Sequence, residues 1–332
     1  MVGRKRGNQW SVVRTRNSPP PQPVVIGGNG NRSIMMSSSE FQLHSIDLMH
    51  MGIPGAIGVW AIEGPGGWVV IESGPESTWE ALCGGLHEFH VSPEDVSALL
   101  LTHIHLDHAG GAWKFAELGV PMYVHHVGAP HLIDPTRLER SARRVYGNRY
   151  DQLWGPMRPC DSTLVHAVSD GDIVEAAGLR FEAIESLGHA NHHHAWHLLG
   201  SGELFTGDAV GMRVPDTDWI TVPMPPPEFD PTIWSATLDR LETGPWNRFH
   251  LTHGGTVAET KAHLEQLRTS MSEQVAWLMN SRDIEHRWDA YAELLHKSAK
   301  PYNVPESLFQ AHASPARLDM NLAGVDRWAA SR

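Results

Sequence analysis

Four ligand-type side chains stand together directly after an apolar segment, and this run constrains the fold more than any other feature. Residues 96–101 are predicted to form a buried strand, which continues into residues 102–111, THIHLDHAGG. His103 and His105 would share one face of a strand, and the turn that follows lets Asp107 and His108 point at a second centre. Four such side chains beside an apolar strand are difficult to bury without a metal. The run therefore predicts a metal site with two centres.

Histidine is abundant elsewhere in the chain, whereas cysteine is scarce. There are 22 histidines against 26 lysines and arginines, and neutral imidazole is a common metal ligand. The two cysteines, Cys83 and Cys160, are too few for a disulfide framework and form no CxxC pair. We expect both to be buried small apolar residues and the metal ligands to come from His and Asp.

We predict that residues 1–39 form a disordered basic leader. This segment has no acidic residue and no apolar periodicity, and its basic residues are Arg4, Lys5, Arg6, Arg14, Arg16 and Arg32. The same composition also fits an organellar transit peptide over residues 1–34. A third reading is that Met35-Met36 marks the true start of translation.

The rest of the chain is acidic, with 20 basic against 38 acidic residues and a formal charge of −18. An acidic body repels nucleic acid, so we expect no nucleic-acid partner. No stretch approaches the roughly 18 consecutive apolar residues of a membrane span. We therefore expect a soluble, cytoplasmic protein without a membrane partner, and a homodimer stays an open alternative.

Short strands alternate with helices from residue 41 onward, which favours the α/β class. A hairpin is predicted over residues 58–71, a helix over 76–89, and a helix that begins at Asp230-Pro231. Residues 134–156 are predicted to be a helical insertion over the site, with Tyr146, Tyr150 and Trp154 either covering the site or packing on the core. After Gly255 the chain is predicted to be helical. These patterns divide the chain into a domain over 40–255 and a helical extension over 256–332 packed on the core.

The run HxHxDH resembles the signature of the metallo-β-lactamase superfamily, and the likeness extends over residues 41–255. Later segments match the family's further motifs in the same chain order: Gly188-His189, Phe205-Thr206-Gly207-Asp208 and Leu251-Thr252-His253-Gly254. The resemblance implies a four-layer αβ/βα sandwich with the site along one edge of its two sheets. The C-terminal helical extension would be added to this sandwich.

The resemblance also implies the ligand set. His103, His105 and His189 would bind one metal, Asp107, His108 and His253 the other, and Asp208 would bridge both. Two divalent ions are expected, Zn²⁺ first, with Fe²⁺ or Mn²⁺ as alternatives. They would share a hydroxide as the nucleophile, oriented by Asp107. The predicted catalytic residues are Asp107, Asp208 and His193.

Two positions depart from the family pattern. Glu72 stands where the family commonly has an Asp, and we expect it to position the ligands rather than to bind metal. The third motif continues as Ala190-Asn191-His192-His193-His194, in which His193 matches the family's second histidine. His193 would then support the metal site or face the substrate, with a purely structural histidine as the alternative. The roles of His192, His194, His125 and His126 stay open.

Residues 204–253 resemble glyoxalase-II-like hydrolases, so the predicted reaction is hydrolysis of an ester, thioester or lactone of a small molecule. Three alternatives remain. A phosphodiesterase or tRNA-processing nuclease shares the ligands, although the acidic body offers no footprint for RNA. A persulfide dioxygenase would use a single iron held by a subset of these residues. A metal-binding protein without catalysis would have no need of seven converging polar side chains.

Overall fold

The computed structural model describes residues 24–26, 41–312 and 315–332. Its strands are β1 (Val24–Ile26), β2 (Gln42–Asp47), β3 (Gly58–Gly64), β4 (Gly67–Ile71), β5 (Val96–Leu100), β6 (Met122–His125), β7 (Val165–Val168), β8 (Ile173–Ala176), β9 (Leu179–Glu185), β10 (His194–Leu198), β11 (Glu203–Gly207), β12 (Met212–Arg213), β13 (Ile220–Thr221), β14 (Arg248–Leu251) and β15 (Gly255–Val257). Its α-helices are α1 (Trp79–Glu88), α2 (Leu106–Ala109), α3 (Ala112–Glu117), α4 (Ala129–Ile133), α5 (Thr136–Tyr146), α6 (Tyr150–Leu153), α7 (Pro231–Glu242), α8 (Thr260–Asn280), α9 (Arg287–Ala299), α10 (Glu306–His312) and α11 (Pro315–Ala330).

Two large sheets pack face to face. One has the strand order β2-β3-β4-β5-β6-β7, and the other β1-β8-β9-β10-β11-β14-β15. Successive side chains of a strand point to opposite faces, so a strand covered on both faces is apolar throughout. In β4, Val69 and Ile71 join the core between the sheets, whereas Val70 joins the core beneath the outer helices. The four-layer αβ/βα sandwich is thus confirmed.

Local sequence signals explain several of the elements. The hairpin of β3 and β4 closes with Gly64 opposite Gly67, as the glycine-rich turn predicts. Helix α7 begins where Asp230-Pro231 indicates, because the Asp230 carboxylate accepts from the backbone N–H groups of Thr232 and Ile233. The predicted helix over 76–89 corresponds to a short 3₁₀ turn followed by α1.

The prediction for the leader is wrong at three residues. Residues 24–26 form β1, which pairs antiparallel with β8 at the edge of the seven-stranded sheet. Their sequence, Val-Val-Ile, has the β-branched character that favours a strand beside an open edge. The other residues of the predicted leader lie outside the described part of the chain.

The prediction that the chain is helical directly after Gly255 is also wrong. Residues 255–257 form β15, which pairs antiparallel with β14 before helix α8 begins at Thr260. Thr256 and Val257 are β-branched and extend the sheet at its edge.

The last four helices pack against the outer face of the seven-stranded sheet. Leu267 of α8, Leu295 of α9, Phe309 of α10 and Val325 of α11 belong to one buried cluster with Phe249 of β14. Within the described residues, no helix is both long enough and apolar enough to span a bilayer.

Candidate metal centre

The candidate site lies where strands of both sheets end. Residues 102–108 follow β5 of the six-stranded sheet, and loops after β9, β11 and β14 of the other sheet supply His189, Asp208 and His253. The two sheets are joined here, because the His194 N–H donates to the Thr102 carbonyl at 3.0 Å. The structure brings together all seven side chains that the sequence singles out as metal ligands.

Close packing against α7 fixes the backbone directly before His189. Gly188 has φ 119°, and a Cβ there would lie 2.3 Å from Trp234 of α7. Only glycine fits this combination of backbone angle and close approach. The Asp230 N–H also donates to the Gly188 carbonyl at 2.8 Å, so the cap of α7 and the ligand loop hold one another.

His103, His105 and His189 form the first group of ligand atoms, called here the three-histidine centre. His105 Nδ1 lies 2.9 Å from His103 Nε2 and 3.0 Å from His189 Nε2. Burial lowers the pKa of all three imidazoles, that of His105 to about 3, so they are neutral at pH 7. Neutral imidazole is the form that binds metals.

The surrounding hydrogen bonds leave few protons in the three-histidine centre. The Thr102 hydroxyl donates to Glu72, so its oxygen accepts from His103 Nδ1 at 3.1 Å. The Pro223 carbonyl can only accept, so His189 Nδ1 donates to it at 3.0 Å. The Nε2 atoms of His103 and His189 therefore point lone pairs at His105 Nδ1. At most one of these three nitrogens carries a hydrogen. A divalent cation would use all three lone pairs.

Asp107, His108 and His253 form the second group, called the aspartate centre. One ligand atom of each lies within 4.8 Å of the others. His108 Nε2 and His253 Nε2 each lie 3.4 Å from Asp208 Oδ1. Within the described residues, His108 Nε2, His253 Nε2 and Asp208 Oδ1 are buried and have no hydrogen-bond partner. Such atoms are costly unless a cation binds them, so the residues fit a metal.

Electrostatics in the aspartate centre favour a positive charge. Burial lowers the pKa of His108, but Asp208, Glu72 and Asp107 outweigh burial and raise it well above its usual value. Asp208 itself stands between the two centres, since its Oδ2 lies 3.3 Å from His189 Nε2 while its Oδ1 faces the other group. One carboxylate can thus serve both centres.

Glu72 lies beneath both centres and is fully buried. One of its oxygens accepts from His108 Nδ1 at 3.0 Å and from the Thr252 hydroxyl at 3.3 Å, and the other accepts from the Thr102 N–H at 3.3 Å. Its carboxylate is close enough to His103 and His108 to act as a ligand, but both oxygens already accept from protein donors. Its contacts are those of a group that orients ligands.

His193 is buried and does not line the cavity over the site. Its Nε2 accepts from the Asp208 N–H at 3.1 Å, and its Nδ1 donates to the Ser186 hydroxyl at 2.9 Å. Burial lowers the pKa of His193 well below its usual value, which keeps the ring neutral and able to accept. The side chain therefore holds the backbone of the residue that stands between the two centres.

A cavity of about 770 Å³ opens over the site. We call the ligands exposed to it the cavity floor; they are His105, Asp107, His189 and Asp208. The predicted insertion forms one side, to which Tyr146 and Trp154 contribute, whereas Tyr150 is buried in the core. Helices α10 and α11 form another side, which we call the C-terminal wall; it includes Ala311, His312, Arg317, Leu318, Met320 and Asn321.

The remaining histidines differ in their contacts. His192 and His131 line the cavity, and His192 Nε2 lies 3.2 Å from Glu228. His125 faces Glu185 at 3.3 Å. His194 is buried, and neither of its ring nitrogens has a partner among the described residues.

Arg317 is a cavity residue that the sequence does not single out. Its guanidinium donates to the His312 carbonyl at 3.2 Å and forms no ion pair within the described part of the chain. Burial lowers the pKa of Arg317, and the charges of Asp107 and Asp208 oppose that shift. Arginine stays protonated in proteins, so the C-terminal wall carries a fixed positive charge facing the floor.

Comparisons with known proteins agree with this geometry. A sequence profile described as the metallo-beta-lactamase superfamily matches residues 52–264. The metallo-beta-lactamase fold-containing protein ST1585 of Sulfurisphaera tokodaii is 27% identical over 184 residues, which cover 53% of this chain and 68% of that protein. The crystal structure of the metallo-beta-lactamase family protein TTHA1429 from Thermus thermophilus superposes with a TM-score of 0.62 at 21% identity, covering 87% of this chain and 93% of that one.

Two further relatives match over shorter stretches. An atrochrysone carboxyl ACP thioesterase of Aspergillus fumigatus is 29% identical over 146 residues, covering 43% of this chain and 36% of that protein. A hydroxyacylglutathione hydrolase of Aliivibrio fischeri is 28% identical over 152 residues, 46% of each protein. The chain thus spans less than half the length of these two relatives.

The profile match covers well over half of the chain and includes Glu72 and all seven candidate ligands. The two-sheet architecture and the position of the site at the strand ends agree with it. The chain belongs to the metallo-beta-lactamase superfamily.

Proposed function

We propose that the protein is a binuclear hydrolase that cleaves an ester, thioester or lactone of a small molecule, in the manner of glyoxalase-II-like enzymes. The observation that carries this proposal is that Asp208, on the cavity floor, lies between two complete groups of ligands. A single-metal oxygenase would leave the unpartnered atoms of His108 and His253 without a function.

Two bound divalent ions would supply an activated water and polarise the scissile carbonyl oxygen. Histidine and carboxylate ligands fit Zn²⁺, with Fe²⁺ and Mn²⁺ as alternatives. In the assignment we propose, His103, His105 and His189 hold one ion, Asp107, His108 and His253 hold the other, and Asp208 contacts both.

Asp107 is the ligand best placed to handle protons. Its side chain is 26% exposed and faces the cavity, and one of its oxygens lies 3.5 Å from His253 Nε2. Burial alone would raise the pKa of Asp107, but His108 and His253 lower it below its ordinary value, so the group is a carboxylate at pH 7. It can accept a hydrogen bond from the attacking water and pass a proton to the leaving group.

The cavity supports a substrate with an apolar body and an anionic group. Much of its lining is apolar, including Ile53, Leu138, Val145, Met224 and Leu318. Once Asp107 and Asp208 serve as ligands, their charges are balanced and Arg317 is left without a carboxylate to face. A carboxylate or phosphate on the substrate would fit its planar donor set.

The thioesterase and the hydroxyacylglutathione hydrolase among the relatives support cleavage of a thioester by this chain. The acidic body supports a small-molecule substrate rather than nucleic acid. The family name carries no weight about β-lactams, because one fold hosts many substrates.

Turnover of a substrate panel tests this proposal. Protein loaded separately with zinc, iron or manganese would be assayed on thioesters, lactones, phosphodiesters, β-lactams and a glutathione persulfide, with oxygen uptake recorded. We expect hydrolysis of a thioester or lactone without oxygen uptake. Oxygen-dependent turnover of the persulfide with one iron per chain, or hydrolysis confined to phosphodiesters, would overturn it.

A further inference from the structure

The loop of residues 222–227, rich in proline and called here the proline loop, lies between the three-histidine centre and the C-terminal wall. The Pro223 carbonyl accepts from His189 Nδ1 at 3.0 Å, which fixes the ring so that Nε2 faces the centre. Pro223 has no N–H of its own, so the loop cannot be held at this residue through a backbone donor. Its position must be set by the neighbouring peptides.

Asn321 of helix α11 holds the peptides on both sides of Pro223. Its Oδ1 accepts from the Met224 N–H at 2.9 Å, and its Nδ2 donates to the Val222 carbonyl at 2.9 Å. The same Nδ2 donates to the Tyr291 hydroxyl at 3.0 Å, and that hydroxyl donates to Gln274 at 2.7 Å. Asn321 is 7% exposed, so these hydrogen bonds are largely shielded from water.

Gly324, one turn further along α11, permits this contact. A Cβ at this position would lie 1.8 Å from the Met224 carbonyl oxygen. Any larger residue would force the helix and the proline loop apart. Asn321 and Gly324 thus lie three positions apart on one helix face and contact the same loop. Asn321 forms hydrogen bonds with the proline loop, and Gly324 allows its close approach.

We propose that Asn321 is a positioning residue for the metal ligand His189, and that α11 thereby completes the three-histidine centre. This inference rests on the proposed metal-dependent function. The helix lies beyond residues 52–264, the part that matches the superfamily profile. A segment outside the matched domain would therefore contribute to metal affinity as well as to the cavity wall.

Three variants separate this role from general stability. Asn321→Ala removes both bonds to the proline loop, and Gly324→Ala pushes the helix away from it. Asp326→Asn is the matched control on the same helix, because Asp326 accepts from Arg287 at 2.7 and 3.0 Å and its described partners lie outside the loop. Zinc affinity by chelator competition and the absorption spectrum of the Co²⁺ form would be measured without any substrate.

We expect Asn321→Ala and Gly324→Ala to weaken binding of the ion at the three-histidine centre by about 10- to 100-fold and to alter its Co²⁺ spectrum. Asp326→Asn should keep the affinity of the parent protein. Should Asn321→Ala fail to fold, Asn321→Asp keeps the acceptor for Met224 but places a carboxylate oxygen against the Val222 carbonyl, so a loss of affinity at least as large is expected.

Parent-like affinity and spectrum in folded Asn321→Ala or Asn321→Asp would overturn the inference. Equal losses in all variants, the Asp326→Asn control included, would overturn it too, because they would reflect general loosening of the helix. A parent protein that binds no metal would instead overturn the proposed function, so the two failures are distinguishable.

Discussion

The cavity floor and the C-terminal wall face each other, yet the chain builds them differently. The floor gathers ligands from loops at strand ends, and each loop is fixed by hydrogen bonds a few ångströms away, as with Glu72 beneath His108. The wall consists of helices anchored by apolar packing, with Phe309 and Val325 in the core against the seven-stranded sheet. In the function we propose, the floor carries the chemistry, while the wall selects the substrate and refines the ligand geometry.

The largest effect is expected from Asp107→Asn in the floor. Asn keeps the shape but loses the negative charge that orients water and transfers a proton, so kcat should fall by about 10²- to 10⁴-fold. The three-histidine centre should keep its ion. Glu228→Gln is a suitable control, since Glu228 lines the same cavity but faces His192 rather than the ligands.

Metal content and steady-state rates measured together on both variants would test this. Wild-type turnover of Asp107→Asn at full metal occupancy would mean that the floor does not act as proposed.

A smaller effect is expected from His193→Ala, because His193 contacts the backbone of the floor residue Asp208 and does not itself line the cavity. The Asp208 N–H would lose its buried acceptor, and metal affinity or activity should fall by about 10- to 100-fold. His197→Ala is the matched control, because His197 lies on β10 and pairs with Glu182 at 3.5 Å, away from the site. Chelator competition on both variants checks the prediction, and equal losses would contradict a specific role for His193.

The smallest effect is expected from Arg317→Met in the wall. Losing a hydrogen bond to a charged group costs about 1.5 kcal/mol, so kcat/KM for an anionic substrate should fall about tenfold. A neutral analogue of the same substrate should be unaffected, and so should the metal content. Arg149→Met, at an exposed position on the rim, serves as the control. Equal losses on the anionic and neutral substrates would show that Arg317 does not recognise the anionic group of the substrate.

The floor could be located from the sequence because its signals are local. Residues 103–108 follow an apolar strand in one short run, and each later ligand also follows a strand. The backbone of an αβ/βα sandwich brings such strand ends together, so spacing along the chain translates into proximity in space.

The wall could not be predicted in this way. Arg317 and Asn321 lie in an ordinary amphipathic helix, and nothing in their neighbourhood distinguishes them from solvent-facing polar residues. Their roles depend on where α11 packs relative to the proline loop, which is a long-range property. Strands β1 and β15 were missed for a related reason: each has three residues, too few for a periodic pattern, and gains its stability from an existing sheet edge.

The most direct test of the two-centre site is the number of metal ions that one chain binds. Metal-free protein would be titrated with zinc and the bound metal measured by elemental analysis, in parallel with Asp208→Ala, which removes the carboxylate between the centres. With two centres, we expect about two ions per parent chain and a marked loss of binding in the variant. Saturation of the parent at a single ion, with Asp208→Ala binding it as tightly, would contradict the two-centre site.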